Sequence, residues 1–238
     1  MKRKQILTLA AACALAYAAA TVPATKKAAP KPPPIPAEYK VKFETTKGDI
    51  LIQVHHDWSP LGADHFYELV TKGYYDNNAF FRAIKGFIVQ FGMNGDPKVT
   101  AHWNAAPIKH DPPNKQPNKA GTVTFAQTSD PDSRTTHVFI NVSDNAEALD
   151  SKNFTPFGEV ISGMDVVNNL YMGYGDSVSE GGSGPDQEAL AQNGNAYLQK
   201  SFPLLDYIKK ATVIDPPPPV VHRPASTAKR STSTTTKR

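Results

Sequence analysis

The chain has 238 residues, with 26 Lys/Arg against 22 Asp/Glu, a formal charge of +4 and a single cysteine. The basicity sits at the ends: residues 1–37 hold six Lys/Arg and 216–238 hold five, both without an acid, while 38–215 holds 15 against 22, net −7. An acidic body lacks the basic folded face that counterion release requires, which argues against a nucleic-acid-binding fold.

Lys2, Arg3 and Lys4 precede an apolar run over 6–20 that is rich in Ala and Leu. A bilayer span needs about 20 such residues, so 1–20 reads as a signal peptide with small-residue cleavage sites near 20–24, not as a stable membrane span. The expected destination is the periplasm, the cell envelope or the medium. Cys13 follows three alanines, loosely as at a lipoprotein processing site, but the usual Leu three residues earlier is missing. An incidental signal-peptide cysteine is the preferred reading over a lipid anchor. The mature chain then has no thiol and no disulfide.

Residues 21–37 form a Pro/Lys-rich linker suited to extended polyproline II. The stretch 216–238, PPPPVVHRPASTAKRSTSTTTKR, is its C-terminal counterpart, a basic Pro/Ser/Thr-rich tail expected to be disordered. Between them one domain is predicted over 38–215. Residues 39–44 and 49–54 alternate as strands around 45-TTKG-48, a hairpin signal. Ser59 and Pro60 open a helix whose Ala63, Phe66, Leu69 and Val70 share one face, and Gly73 ends it.

The run 80-FFRAIKGFIVQFGM-93 reads as an apolar hairpin turning at Lys85-Gly86, interrupted by Arg82 and Gln90. Residues 93–120 read as a long loop, a length that is unusual unless functional. Strands are expected at 122–126, 137–142 and 157–161, a helix at 164–172, a surface loop at 173–187 and a closing strand at 207–214. The predicted fold is mainly β: a closed antiparallel eight-stranded barrel capped by two α-helices.

Familiar catalytic signatures are missing. The pair His55-His56 lacks the spacing and companion Cys that zinc favours. No G-x-S-x-G elbow marks a nucleophile, and Asp130 and Asp132 lie in the turn sequence 128-TSDPDS-133. Neither a metal nor a cofactor is expected. From spacing alone, Arg82 would be assigned to a structural salt bridge.

Three blocks change that assignment. The first, 80-FFRAIKGFIVQFG-92, resembles the F-x-R-x-I-x-G-F-x-x-Q-x-G signature of cyclophilins, the cyclophilin-type peptidyl-prolyl cis-trans isomerases. Within 121-GTVTFAQTSDPDSRTTHVFINVSDNAEALD-150 the order is similar to the family's G-x-x-x-M-A, Q-F-F-I and L-D segments. Third, 157-FGEVISGMDVVNNL-170 matches F-G-x-V-x-x-G-M-x-V-V. Together they cover most of 38–172. The remainder, to 214, resembles the extension of an exported bacterial branch.

The resemblance implies an enzyme that accelerates cis/trans isomerisation of X-Pro bonds in exported proteins, acting as a monomer on proline-containing polypeptides. It implies Arg82 as the catalytic arginine. Phe87, Ile88, Phe139 and Leu149 match positions lining the proline pocket, with Ile88 where Met is usual. Gln90 matches the glutamine that orients the arginine. Ala126 and Gln127 match the pair that bonds the substrate backbone, His137 stands where Gln is common, and Phe154 matches a pocket-edge histidine. Phe81 replaces a frequent His and Val138 a Phe. Ala148 takes the place of a Trp that serves cyclosporin binding, so weak cyclosporin affinity is expected. Two other readings stay open: a non-catalytic binder or chaperone for proline-containing segments, and basic tails that tether the domain to anionic lipid or cell-wall polymer.

Overall fold

The computed structural model of the protein describes residues 34–112 and 116–214. The expected signal peptide, the linker as far as residue 33 and the tail lie outside these residues. Among the described residues, no helix is long and apolar enough to cross a membrane.

Nine strands of the described residues form one antiparallel sheet. In chain order they are β1 (Glu38–Thr45), β2 (Asp49–His55), β3 (Asn78–Ala79), β4 (Arg82–Ala83), β5 (Ile88–Phe91), β6 (Thr122–Phe125), β7 (Val138–Asn141), β8 (Pro156–Ser162) and β9 (Tyr207–Ile214). Their spatial order is β3-β9-β1-β2-β8-β6-β7-β5-β4. The expected closed ring of eight strands is therefore not what the hydrogen bonds draw. The ladder is open, a curled sheet whose terminal strands β3 and β4 belong to the single stretch 78–83 and are not paired with each other. The extra strand β3 is two residues long, too short to leave an alternating pattern in the sequence.

Among the described residues five α-helices accompany the sheet where two were expected: α1 (Pro60–Thr71), α2 (Pro97–Asn104), α3 (Ala146–Leu149), α4 (Met164–Asn168) and α5 (Gln187–Ser201). Helix α1 buries Ala63, Phe66, Leu69 and Val70, the face predicted from spacing. These join Phe43, Tyr75, Phe91 and Phe157 in the main core, where Phe66 and Phe157 lie 4.8 Å apart. Ile35 packs against this core and His56 donates to the carbonyl of Ala37 (2.9 Å), so the packed body reaches into the predicted linker.

The start of α1 is capped from a distance. Ser59 holds the N-cap position, but its hydroxyl donates to Asp111 rather than accepting from the first turn. The Asp111 carboxylate accepts from Leu61 N (2.8 Å) and Gly62 N (3.0 Å) and receives Arg134 Nη1 at 3.0 Å. Arg134 also donates to the Lys109 carbonyl. The predicted loop 93–120 thus contains α2 and then anchors itself on α1 through the Asp111 carboxylate, which is also in a buried ion pair with Arg134.

Candidate active site

Strand alternation divides the central strands between two apolar clusters. On one face Ala83, Val89, Phe91, Val123, Phe125, Val138 and Ile140 join the main core. On the other, Ile88, Phe139 and Leu149 form a separate cluster with Phe87, Ala126 and Phe154. The register explains the split, because a period of two sends alternate residues to opposite faces. Arg82 pairs with Gln90, Gln90 with Phe139 and Phe139 with Thr124, a row across β4, β5, β7 and β6. One strand-crossing row thus places a cation, an amide and an aromatic ring side by side.

All ten residues singled out from the sequence, Arg82, Phe87, Ile88, Gln90, Ala126, Gln127, His137, Phe139, Leu149 and Phe154, line one cleft of about 570 Å³. Its apolar floor is firmly held. Phe139 and Phe154 meet edge-on, 5.8 Å between ring centres. Asn118 braces the wall behind them, its amide donating to Asp150 Oδ1 (2.8 Å) and to the Phe154 carbonyl (2.7 Å) while its oxygen accepts from Thr124 (2.9 Å). Asn145 donates to the Phe87 carbonyl at 2.8 Å. Gln127 Nε2 donates to the Lys152 carbonyl at 2.9 Å, and Ala126 N donates to the His137 carbonyl at 2.8 Å.

Arg82 stands at the edge of this floor. Its Nη1 donates to Gln90 Oε1 at 3.0 Å. The opposite edge of the guanidinium makes a bidentate pair with Asp176, Nε to Oδ1 at 2.5 Å and Nη2 to Oδ2 at 3.1 Å. The arginine holds the Asp176 carboxyl below its ordinary range, chiefly by hydrogen bonding. Asp176 belongs to the glycine-rich stretch 173–187, read from the sequence as a surface loop, and the sequence reading missed it. Glu180 and Gln187 from the same stretch also line the cleft.

Phe81, where the resemblance led one to expect His, is buried by the extension, in a cluster with Met93, Leu190, Leu198 and Leu205. His137 rests edge-on against Phe81, ring centres 5.6 Å apart. Desolvation lowers the imidazole pKa to about 4. His137 is therefore neutral at ordinary pH, and whatever reaction the cleft supports should show no step near the usual histidine pKa between about pH 5 and pH 8. An inflection near pH 6.5 in kcat/KM would contradict it. For stability the sign is fixed as well. The unfolded chain takes up this proton first, so the His137 contribution is complete above about pH 6.5 and is lost as pH falls toward about 4.

A curled antiparallel sheet, an apolar floor and an arginine at its rim together define the cleft. The chain belongs to the family of cyclophilin-type peptidyl-prolyl cis-trans isomerases, whose profile matches residues 40–188. Peptidyl-prolyl cis-trans isomerase B of Escherichia coli is 35% identical over 154 residues, covering 62% of this chain and 90% of the relative. A peptidyl-prolyl cis-trans isomerase of Acinetobacter baylyi is 38% identical over 141 residues, covering 56% and 72%. In fold the chain resembles the crystal structure of the cyclophilin AquaCyp293 from Hirschia baltica, with a TM-score of 0.53 at 17% identity over 75% of this chain and 74% of that one.

Proposed function

We propose that the cleft isomerises X-Pro bonds in exported polypeptides, with Arg82 as the catalytic residue. The carrying observation is the guanidinium held by Gln90 at the rim of an apolar floor. Rotation about a peptide bond is opposed by about 18–20 kcal/mol of amide resonance. As the amide twists, the prolyl nitrogen loses conjugation and gains a lone pair. A fixed donor aimed at that nitrogen binds the twisted state better than the planar one, which is what lowers a barrier. Phe87, Ile88, Phe139, Leu149 and Phe154 hold the proline ring, and Ala126 and Gln127 align the peptide backbone beside it. No proton transfer or covalent bond is required, and arginine keeps its charge at every relevant pH.

A second reading, a binding module for proline-containing segments, draws on the ion pair with Asp176, which offsets the charge the mechanism uses. The two separate in one experiment. Exchange between cis and trans forms of a short Ala-Pro peptide is followed by NMR with the full chain added. Acceleration supports the isomerase; line broadening from binding with no gain in exchange rate supports the module. The export reading rests on the sequence of 1–24, and intact mass of the protein from the cell envelope tests it. A mature N-terminus near 20–24 is expected, and a chain retained in the cytoplasm with Met1 in place would overturn it.

A further inference from the structure

The stretch 173–187 is shaped around one residue. Gly175 bridges to Ala83, which lays the loop alongside β4 next to Arg82. Asp176 follows at once, and the loop then closes on its backbone. Gly184 N donates to the Asp176 carbonyl at 2.7 Å, and Gly182 N to the Ser177 carbonyl at 2.9 Å. A Cβ on Gly182 would stand 2.1 Å from that Asp176 oxygen, and one on Gly184 2.6 Å from it. Only glycine permits so close an approach of backbone to backbone. The ends of the loop are fastened as well. Tyr174 packs edge-on against Tyr171 and Phe202 at 4.9 and 5.1 Å, and Asp186 caps α5 by accepting from Ala189 N at 2.8 Å. Ordering a glycine-rich segment is costly in entropy, and the carboxylate it delivers goes to the guanidinium proposed to do the chemistry.

An arginine has five N–H donors in a planar fork. Asp176 takes Nε and one hydrogen of Nη2, and Gln90 takes one hydrogen of Nη1. The plane is therefore fixed from two sides, while one N–H on each terminal nitrogen is left for a substrate. A carboxylate this close also offsets part of the positive charge. The offset is partial because Coulomb energy falls with distance, and the carboxylate on the Nε/Nη2 edge is farther from a group on the Nη1 side than the guanidinium itself. Solvent screens it further, since the two side chains are 19% and 27% exposed. Orientation, by contrast, is acute: a misplacement of about 1 Å costs as much as 10²-fold in rate.

We infer that Asp176 is a positioning residue of the isomerase, holding the Arg82 fork in the plane from which it meets the twisted amide; this rests on the role proposed above for Arg82. Asp176→Ala in the full chain should lower kcat for an Ala-Pro peptide about tenfold. KM should stay within about twofold, the pattern of an interaction realised only in the transition state. Asp176→Asn is nearly isosteric. It keeps an acceptor for Arg82 Nε and Ser177 N, loses the second acceptor, and should fall between the two. It guards against a folding defect in the alanine variant, with thermal melting run on both. In the Arg82→Ala background, Asp176→Ala should cost nothing more, because it acts through the arginine.

A slow Arg82→Ala variant beside an Asp176→Ala variant as fast as wild type, or faster, overturns the inference alone. So does a further loss from Asp176→Ala when Arg82 is already absent. An Arg82→Ala variant with the wild-type rate removes the role of Arg82 itself, and the inference falls with it.

Discussion

Arg82→Ala is expected to reduce kcat/KM for X-Pro isomerisation about 10²- to 10³-fold, the usual cost of losing a preorganised transition-state donor. The effect should fall on kcat, with peptide affinity nearly intact, because the apolar floor of Ile88, Phe139 and Leu149 does not depend on the arginine. Stability should change by about 1 kcal/mol or less, since the Arg82–Asp176 pair is partly exposed. Arg82→Lys sharpens the result. Lysine keeps the charge but cannot answer Gln90 and Asp176 together with a planar fork. If orientation is the requirement, the lysine variant stays close to alanine. Peptide exchange measured by NMR at saturating and trace enzyme separates kcat from KM, and a lysine variant matching wild type would show that charge alone suffices.

The second large effect concerns folding. Asp111→Ala should destabilise the domain by about 3–5 kcal/mol, the typical cost of breaking a buried ion pair by removing one partner. Asp111 is 1% and Arg134 3% exposed, so neither charge can turn to water. The substitution strands the Arg134 guanidinium and leaves Leu61 N and Gly62 N of α1 without their acceptor. At about 2–4 °C per kcal/mol for a domain of this size, the melting temperature should drop by roughly 10 °C. The double variant Asp111→Ala/Arg134→Met should cost less than the two single losses added together, because it leaves no buried charge unpaired. Urea denaturation of the three variants tests this. Strict additivity would mean that the pair is not energetically linked.

The candidate site was legible in the sequence to the extent that it is built from local pattern. Arg82, Gln90 and Phe87 fall within one hairpin, and their spacing survives translation into strands because β4 and β5 pair Arg82 with Gln90 directly. Phe139 and Leu149 arrive with blocks that resemble the family. Asp176 could not be read this way. It lies 94 residues from Arg82 in a stretch without periodicity, and only the folded loop brings it to the guanidinium. The missing helices have local reasons. Helix α2 carries its start signal, Asp96 accepting from Lys98 N and Pro97 at the first turn, but buries only Thr100, so no apolar stripe announced it. Helix α5 is interrupted at Gly194, whose φ is +59°, and the apolar spacing breaks there with it. Ser59 was placed correctly as the cap residue, while the acceptor that satisfies the helix comes from Asp111, out of reach of any local reading.

The open ladder has one more consequence. Unfinished polypeptides offer unpaired strands, and a long bare strand at a sheet margin would template them into runaway addition. Here the terminal strands Asn78–Ala79 and Arg82–Ala83 are two residues long, Gly175 bridges the second, and β9 beyond its short pairing with β3 carries the exposed Lys209 and Lys210 at that margin. Among the described residues, brevity guards one margin of the sheet and adjacent lysine charges the other, two devices that discourage such addition.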